Sequence, residues 1–64
     1  MKRTLIESSA GPLLLETDVD HDLAYLYLGP NVLGDASVAR TERITSHLNL
    51  DYDHEGKLVG IEII

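Results

Sequence analysis

Cysteine is absent from this 64-residue chain, and so are phenylalanine and tryptophan. Without cysteine there is no disulfide staple and no thiolate metal site. Without the two largest apolar rings, the core has to be assembled from Leu, Ile and Val with help from three tyrosines. Basic residues are scarce too: five Lys and Arg stand against eleven Asp and Glu, a formal charge of −6. Affinity for nucleic acid comes largely from neutralising phosphates with Lys and Arg, so this balance argues against DNA or RNA as a partner. It argues equally against anionic membrane surfaces. No apolar run approaches the roughly 20 residues that span a bilayer, and no signal-type apolar segment follows Lys2 and Arg3. A soluble, cytoplasmic protein is expected. Its acidic surface is most simply a solvated one; the functional version is a basic protein partner.

What the chain does have is alternation. Residues 48–64 read as two strands around a polar turn that ends in Gly56. Leu48, Leu50 and Tyr52 alternate with Asn49, Asp51 and Asp53, and Val59, Ile61 and Ile63 alternate with Leu58, Gly60 and Glu62. A strand sends successive side chains to opposite faces, so each arm has one oily side. A four-residue loop, Asp53 to Gly56, sets Leu50 opposite Val59 and Leu48 opposite Ile61. A three-residue loop would set Leu50 against Gly60 and turn the apolar set to the wrong face, so the four-residue loop is expected. Asp53 suits the start of such a turn because its side chain can accept from turn N–H groups. Gly56 suits its end because it takes the left-handed conformation without steric cost.

The rest of the chain follows the same reading. Residues 1–7 are a candidate strand, broken by the turn residues 8–12, and residues 13–18 are the next. Residues 18–22 form a polar turn. Residues 23–28 are apolar on both faces, as in a strand at mid-sheet or under a partner. A loop starts at Gly29, and residues 38–44 alternate weakly with charge on both faces, which suits an exposed edge. Helix is an alternative only over 38–48, where Val38, Ile44 and Leu48 line up poorly and β-branched residues count against it. No internal repeat, low-complexity tract or linker is evident. The reading is one domain over residues 1–64, with 1–12 as an extra strand or arm. Its fold class is mainly β: a small antiparallel meander of four to five strands with a C-terminal β-hairpin and little or no helix.

Motifs that carry chemistry are missing or misleading. Asp51, Asp53, Glu55 and Gly56, with Glu62 in the twelfth position, nearly reproduce an EF-hand calcium loop. That motif needs a helix on each side, and the upstream residues alternate as a strand. Asp18, Asp20, His21 and Asp22 also have the composition of a metal site. In a simple meander, however, the two acidic turns lie at opposite ends of the sheet and cannot share one ion. Asp18 and Asp22 are better explained as turn formers whose side chains bind nearby N–H groups. Ser46 and His47 are adjacent, so on a strand they would face opposite ways and form no nucleophile–base pair. No glycine-rich phosphate loop occurs. Tyr25, Tyr27 and Tyr52 could stack a ring, yet such residues usually cover a core with the hydroxyl at its rim. No catalytic, cofactor-binding or metal-ligating residue is assigned, and no cofactor is expected.

Three stretches carry a family resemblance: Asp22-Leu-Ala-Tyr-Leu-Tyr-Leu28, Ala39-Arg-Thr41, and the block from Leu50-Asp-Tyr-Asp53 through the glycine turn to Leu58-Val-Gly-Ile-Glu-Ile63. Together, over residues 13–64, they resemble the small uncharacterised bacterial family known as domain of unknown function 2283. The chain departs from that pattern by a segment before Leu13 and a longer loop between Leu28 and Val38. The resemblance implies a small mainly-β protein with no assigned activity. Members sit beside small toxin-like genes, so it also implies a binding or antitoxin-like role, and it supplies no functional residues.

A burial problem remains. One sheet without helices has nothing to cover one of its faces, and a core this small supplies only about 3–5 kcal/mol. A homodimer is therefore expected, sheet on sheet at about 10 Å. The chain is read as a non-enzymatic acidic binding protein with a basic protein as its partner. The alternatives are a metal-binding protein using the acidic turns and a small enzyme with its site across a dimer interface.

Overall fold

Wherever apolar and polar residues alternate in this chain, the backbone is extended. The structure, a computed structural model, describes residues 1–29, 32 and 37–64. Its strands are β1 (Lys2–Ser8), β2 (Gly11–Asp18), β3 (Leu23–Leu28), β4 (Arg40–Thr45), β5 (Leu48–Tyr52) and β6 (Leu58–Ile63). No α-helix occurs among the described residues. All pairings are antiparallel, in a six-stranded sheet of order β1-β2-β3-β6-β5-β4. The mainly β, antiparallel fold class is thus met with six strands instead of four to five. Residues 2–8 are a full edge strand, joined to β2 through a tight turn at which Gly11 takes φ 110°.

Strand order differs from that of a simple meander. Residues 2–28 form one three-stranded meander and residues 40–63 a second, and the two join through their last strands, β3 against β6. Composition explains the choice. β6 carries one charged residue, Glu62, and β3 carries none, whereas β4 brings Arg40, Glu42 and Arg43. The charge-poor strands take the centre, and the charged strand takes an edge, paired on one side with β5, where its side chains are exposed to water.

The C-terminal hairpin lies where expected but two residues away from the expected pairing. Asp53 N–H donates to Lys57 O and Gly56 N–H to Asp53 O, so residues 54–56 form the tip, with Gly56 at φ 80°. Tyr52 then faces Leu58, and a bulge carries the register on to Asp51 opposite Gly60. Leu50 consequently meets Ile61 and Leu48 meets Ile63. The apolar set stays on one face, as the parity argument demands. The partners change in two steps. Asp53 pairs with Lys57, so the tip has three residues and not the expected four from Asp53 to Gly56. The bulge past Tyr52 adds the second residue of shift.

The register also reveals a weak repeat, which corrects the expectation that the chain has none. Leu13 pairs with Leu28 as Leu48 pairs with Ile63, so the pairs of residues 13–16 with 25–28 have counterparts 35 positions later, up to the bulge past Asp51. Leu15 corresponds to Leu50, Asp18 to Asp53, and Leu26 to Ile61, its own partner across the β3–β6 seam. A pseudo-twofold axis through Leu26 and Ile61 therefore relates the two inner hairpins.

Directly opposed residues share a face, so the register sorts every inner side chain. One row runs Thr4, Leu15, Leu26, Ile61, Leu50, Glu42 across the six strands. Leu13 and Leu28 lie beside it on one flank, Ile63 and Leu48 on the other. The opposite face carries Arg3, Glu16, Tyr25, Glu62, Asn49 and Arg43 in one row, and Leu5, Leu14, Tyr27, Gly60, Asp51 and Thr41 in the next. Among the described residues, substantial strand contacts run between sheet neighbours. Val59, 1% exposed, is the one fully buried large apolar side chain among the described residues.

Candidate functional site

The polar face is where the chain gathers its chemistry. Tyr25 and Tyr27 project from β3 on the same side, with ring centroids 4.5 Å apart and planes tilted by 52°. They lean in opposite directions. Tyr25 crosses β6 and donates its hydroxyl to Asp51 Oδ2 at 2.6 Å, while Tyr27 leans back towards β2 and donates to Glu16 Oε1 at 3.4 Å. The first crossing is open only because residue 60 is glycine. A Cβ there would lie 2.8 Å from Tyr25 Cε1 and closer still to the ring carbon and oxygen beyond it. Thr41 Oγ1 donates to the other oxygen of Asp51 at 2.6 Å, and Arg3 Nε donates to Glu16 Oε2 at 2.7 Å. Asn49 Nδ2 donates to Glu62 Oε1 at 3.0 Å. Two chains of hydrogen bonds thus reach from both sheet edges to the central tyrosines.

These contacts set the protonation of the phenols. Burial, the bond to Asp51 and the nearby negative charge push the Tyr25 hydroxyl far above the ordinary tyrosine range. Tyr27 is raised as well, first by burial and then by the charge of Glu16, with Arg3 opposing. Both tyrosines are therefore neutral donors at physiological pH, not phenolate nucleophiles or bases. Beside them lies an open depression of about 190 Å³, lined by Glu16, Asp18, Glu62 and both rings together with Met1, Leu23 and Ala24. Aromatic rings rimmed with carboxylates offer a cation both a π-face and a countercharge.

The other groups weighed from sequence are dispersed. Asp51 lies on this face with Tyr25 and Thr41. Asp53 Oδ1 caps its own turn, accepting from Glu55 N–H and Lys57 N–H, both at 2.9 Å, and Glu62 lies apart with Asn49. Asp18 Oδ1 accepts from His21 N–H at 3.3 Å, and its Oδ2 lies 2.8 Å from His21 Nδ1, as a turn former should. Asp22 serves the same turn through its backbone, with φ 55°. The two acidic turns cap opposite ends of the sheet, and among the described residues no three His, Asp or Glu side chains converge on one point. His47 Nδ1 lies 3.2 Å from Ile64 O. Tyr52 belongs to the other face, where the Arg40 guanidinium carbon stands 4.3 Å over its ring. The joint site of Glu16, Tyr25, Tyr27 and Asp51 could not be read from sequence, because it requires β6 to lie between β3 and β5. The one available signal was glycine inside an otherwise apolar strand, a mark of close approach.

Fold and face together define a small all-β protein: one open antiparallel sheet with an oily side and a tyrosine–carboxylate side. The family model described as "Protein of unknown function (DUF2283)" matches residues 18–64, and the chain belongs to that family. No curated protein and no solved structure matches it. No helix of the described residues is long and apolar enough to cross a membrane.

Proposed function

We propose that this chain is a non-enzymatic binding module that takes a basic segment of a partner protein on its tyrosine–carboxylate face. The observation that carries the reading is the sorting of charge. Glu16, Asp51 and Glu62 share the polar face, whereas the apolar face of the four inner strands carries no charged residue. A guanidinium or ammonium group entering the depression would meet two aromatic rings and the carboxylates of Glu16, Asp18 and Glu62. Arg3 Nε on Glu16 Oε2 at 2.7 Å illustrates such a contact within the chain. Phenols that keep their protons supply donors and surface without a reactive nucleophile, which favours recognition over catalysis. An antitoxin-like protein that masks a basic partner is one form of this role.

The test is titration with short Arg-rich and Lys-rich peptides at low ionic strength, followed by tyrosine fluorescence, since the chain has no tryptophan. Saturable binding that weakens with salt is expected, reduced several-fold in Glu62→Gln and unchanged in Glu55→Gln, whose carboxylate sits on the distant turn. No binding, or equal binding by both variants, would overturn the proposal.

A further inference from the structure

We infer that the apolar face of the sheet is the interface with a second copy of this chain, packed face to face. The inference goes beyond the reading of the polar face and does not depend on it. It begins with a deficit: in a 64-residue chain with no disulfide, Val59 alone is fully buried among the large apolar side chains described. Ile63 on the apolar face is 46% exposed, and the Leu and Ile residues around it are only half-buried. Among the described residues, substantial contacts run between neighbouring strands of the one sheet, and no second layer packs on these side chains.

The surface itself favours one occupant. The apolar face has the anatomy of an interface, with an uncharged centre and a rim whose charges sit on the edge strands: Lys2 on β1, Arg40 and Glu42 on β4. A basic partner would find no countercharge at its centre. The molecule extends 33 × 28 × 20 Å, so its broad side is of the same order as the about 800 Å² that a standard stable interface needs from each partner. The pseudo-twofold axis makes the face nearly self-similar, so a second copy meets matching Leu and Ile rows. Charge does not prevent this. With sheets stacked about 10 Å apart, the polar faces point outwards, and their carboxylates are separated by more than two Debye lengths at physiological salt, each about 8 Å. Packing through the polar faces would instead press like charges together.

Sedimentation of the full chain across micromolar concentrations is expected to give twice the chain mass. Ile63→Glu, which places a charge on the apolar face at a partly exposed position, should weaken dimerisation at least ten-fold. Leu5→Glu on the polar face should leave it unchanged, and far-UV circular dichroism checks that both variants fold. Should Ile63→Glu not fold, filtered NOEs in a mixture of labelled and unlabelled wild-type chains decide the matter. Intermolecular contacts are expected at the Leu26 and Ile61 methyls. A monomer at high micromolar concentration, equal loss in both variants, or intermolecular contacts confined to β1 or β4 would overturn the inference.

Discussion

Gly60 and Tyr25 are related by the pseudo-twofold axis, and one exists in its present place because of the other. Tyr25 lies across its counterpart, and only a residue without a side chain lets it reach Asp51. Gly60→Ala should therefore displace the ring, at a cost of about 1–3 kcal/mol for overpacking. For a domain of this size each kcal/mol lowers the Tm by roughly 4–8 °C. In a Tyr25→Ala background the same substitution should cost far less, and thermal melts of the four proteins measure that coupling. Additive losses would contradict the crossing. The raised phenols make a second prediction. Below about pH 10, the ordinary tyrosine value, both folded and unfolded chains hold the proton. Above it the unfolded chain releases protons that Tyr25 and Tyr27 retain when folded, so unfolding gains. This stability is full below that pH and is lost as pH rises through the higher folded values. Urea midpoints followed into the alkaline range should fall, and fall less steeply in Tyr25→Phe.

Among the elements, the C-terminal hairpin shows how far a pattern can be trusted. Alternation placed Leu48, Leu50 and Ile61 on one face, and they are there. It could not supply the partners, because the three-residue tip and the bulge each move the pairing by one residue, and the bulge also brings Leu58 opposite Tyr52. The tip rests on Asp53, which accepts two backbone N–H groups on one oxygen. Asp53→Ala removes both bonds, each worth about 0.5–1.5 kcal/mol net. Asp53→Asn keeps an acceptor, so its urea midpoint should lie between those of wild type and Asp53→Ala. An Asp53→Asn midpoint as low as that of Asp53→Ala would mean that the carboxylate acts by charge. β4 was legible for a different reason: charge on both faces has no place inside a sheet, and its strand lies at the edge.

For the whole molecule, the governing fact is that charge and apolar surface fall on opposite sides of one layer. This arrangement yields two surfaces with separate tasks, a carboxylate side suited to a basic segment and an oily side suited to a second copy. The tests differ accordingly. Peptide binding responds to Glu62 and to salt, whereas mass in solution responds to Ile63. In a face-to-face dimer both polar faces remain open, so neither result depends on the other.

Strand positions, the turn residues and the parity of each apolar set were already written in the linear chain, because they depend on neighbours within a few residues. The tyrosine–carboxylate site was not. It depends on the second meander docking through β6, which brings Gly60 and Asp51 beside a tyrosine 26 positions or more away. Local alternation carries no information about which strands become neighbours. That is decided by burying the charge-poor strands at the centre, a property of the whole sheet.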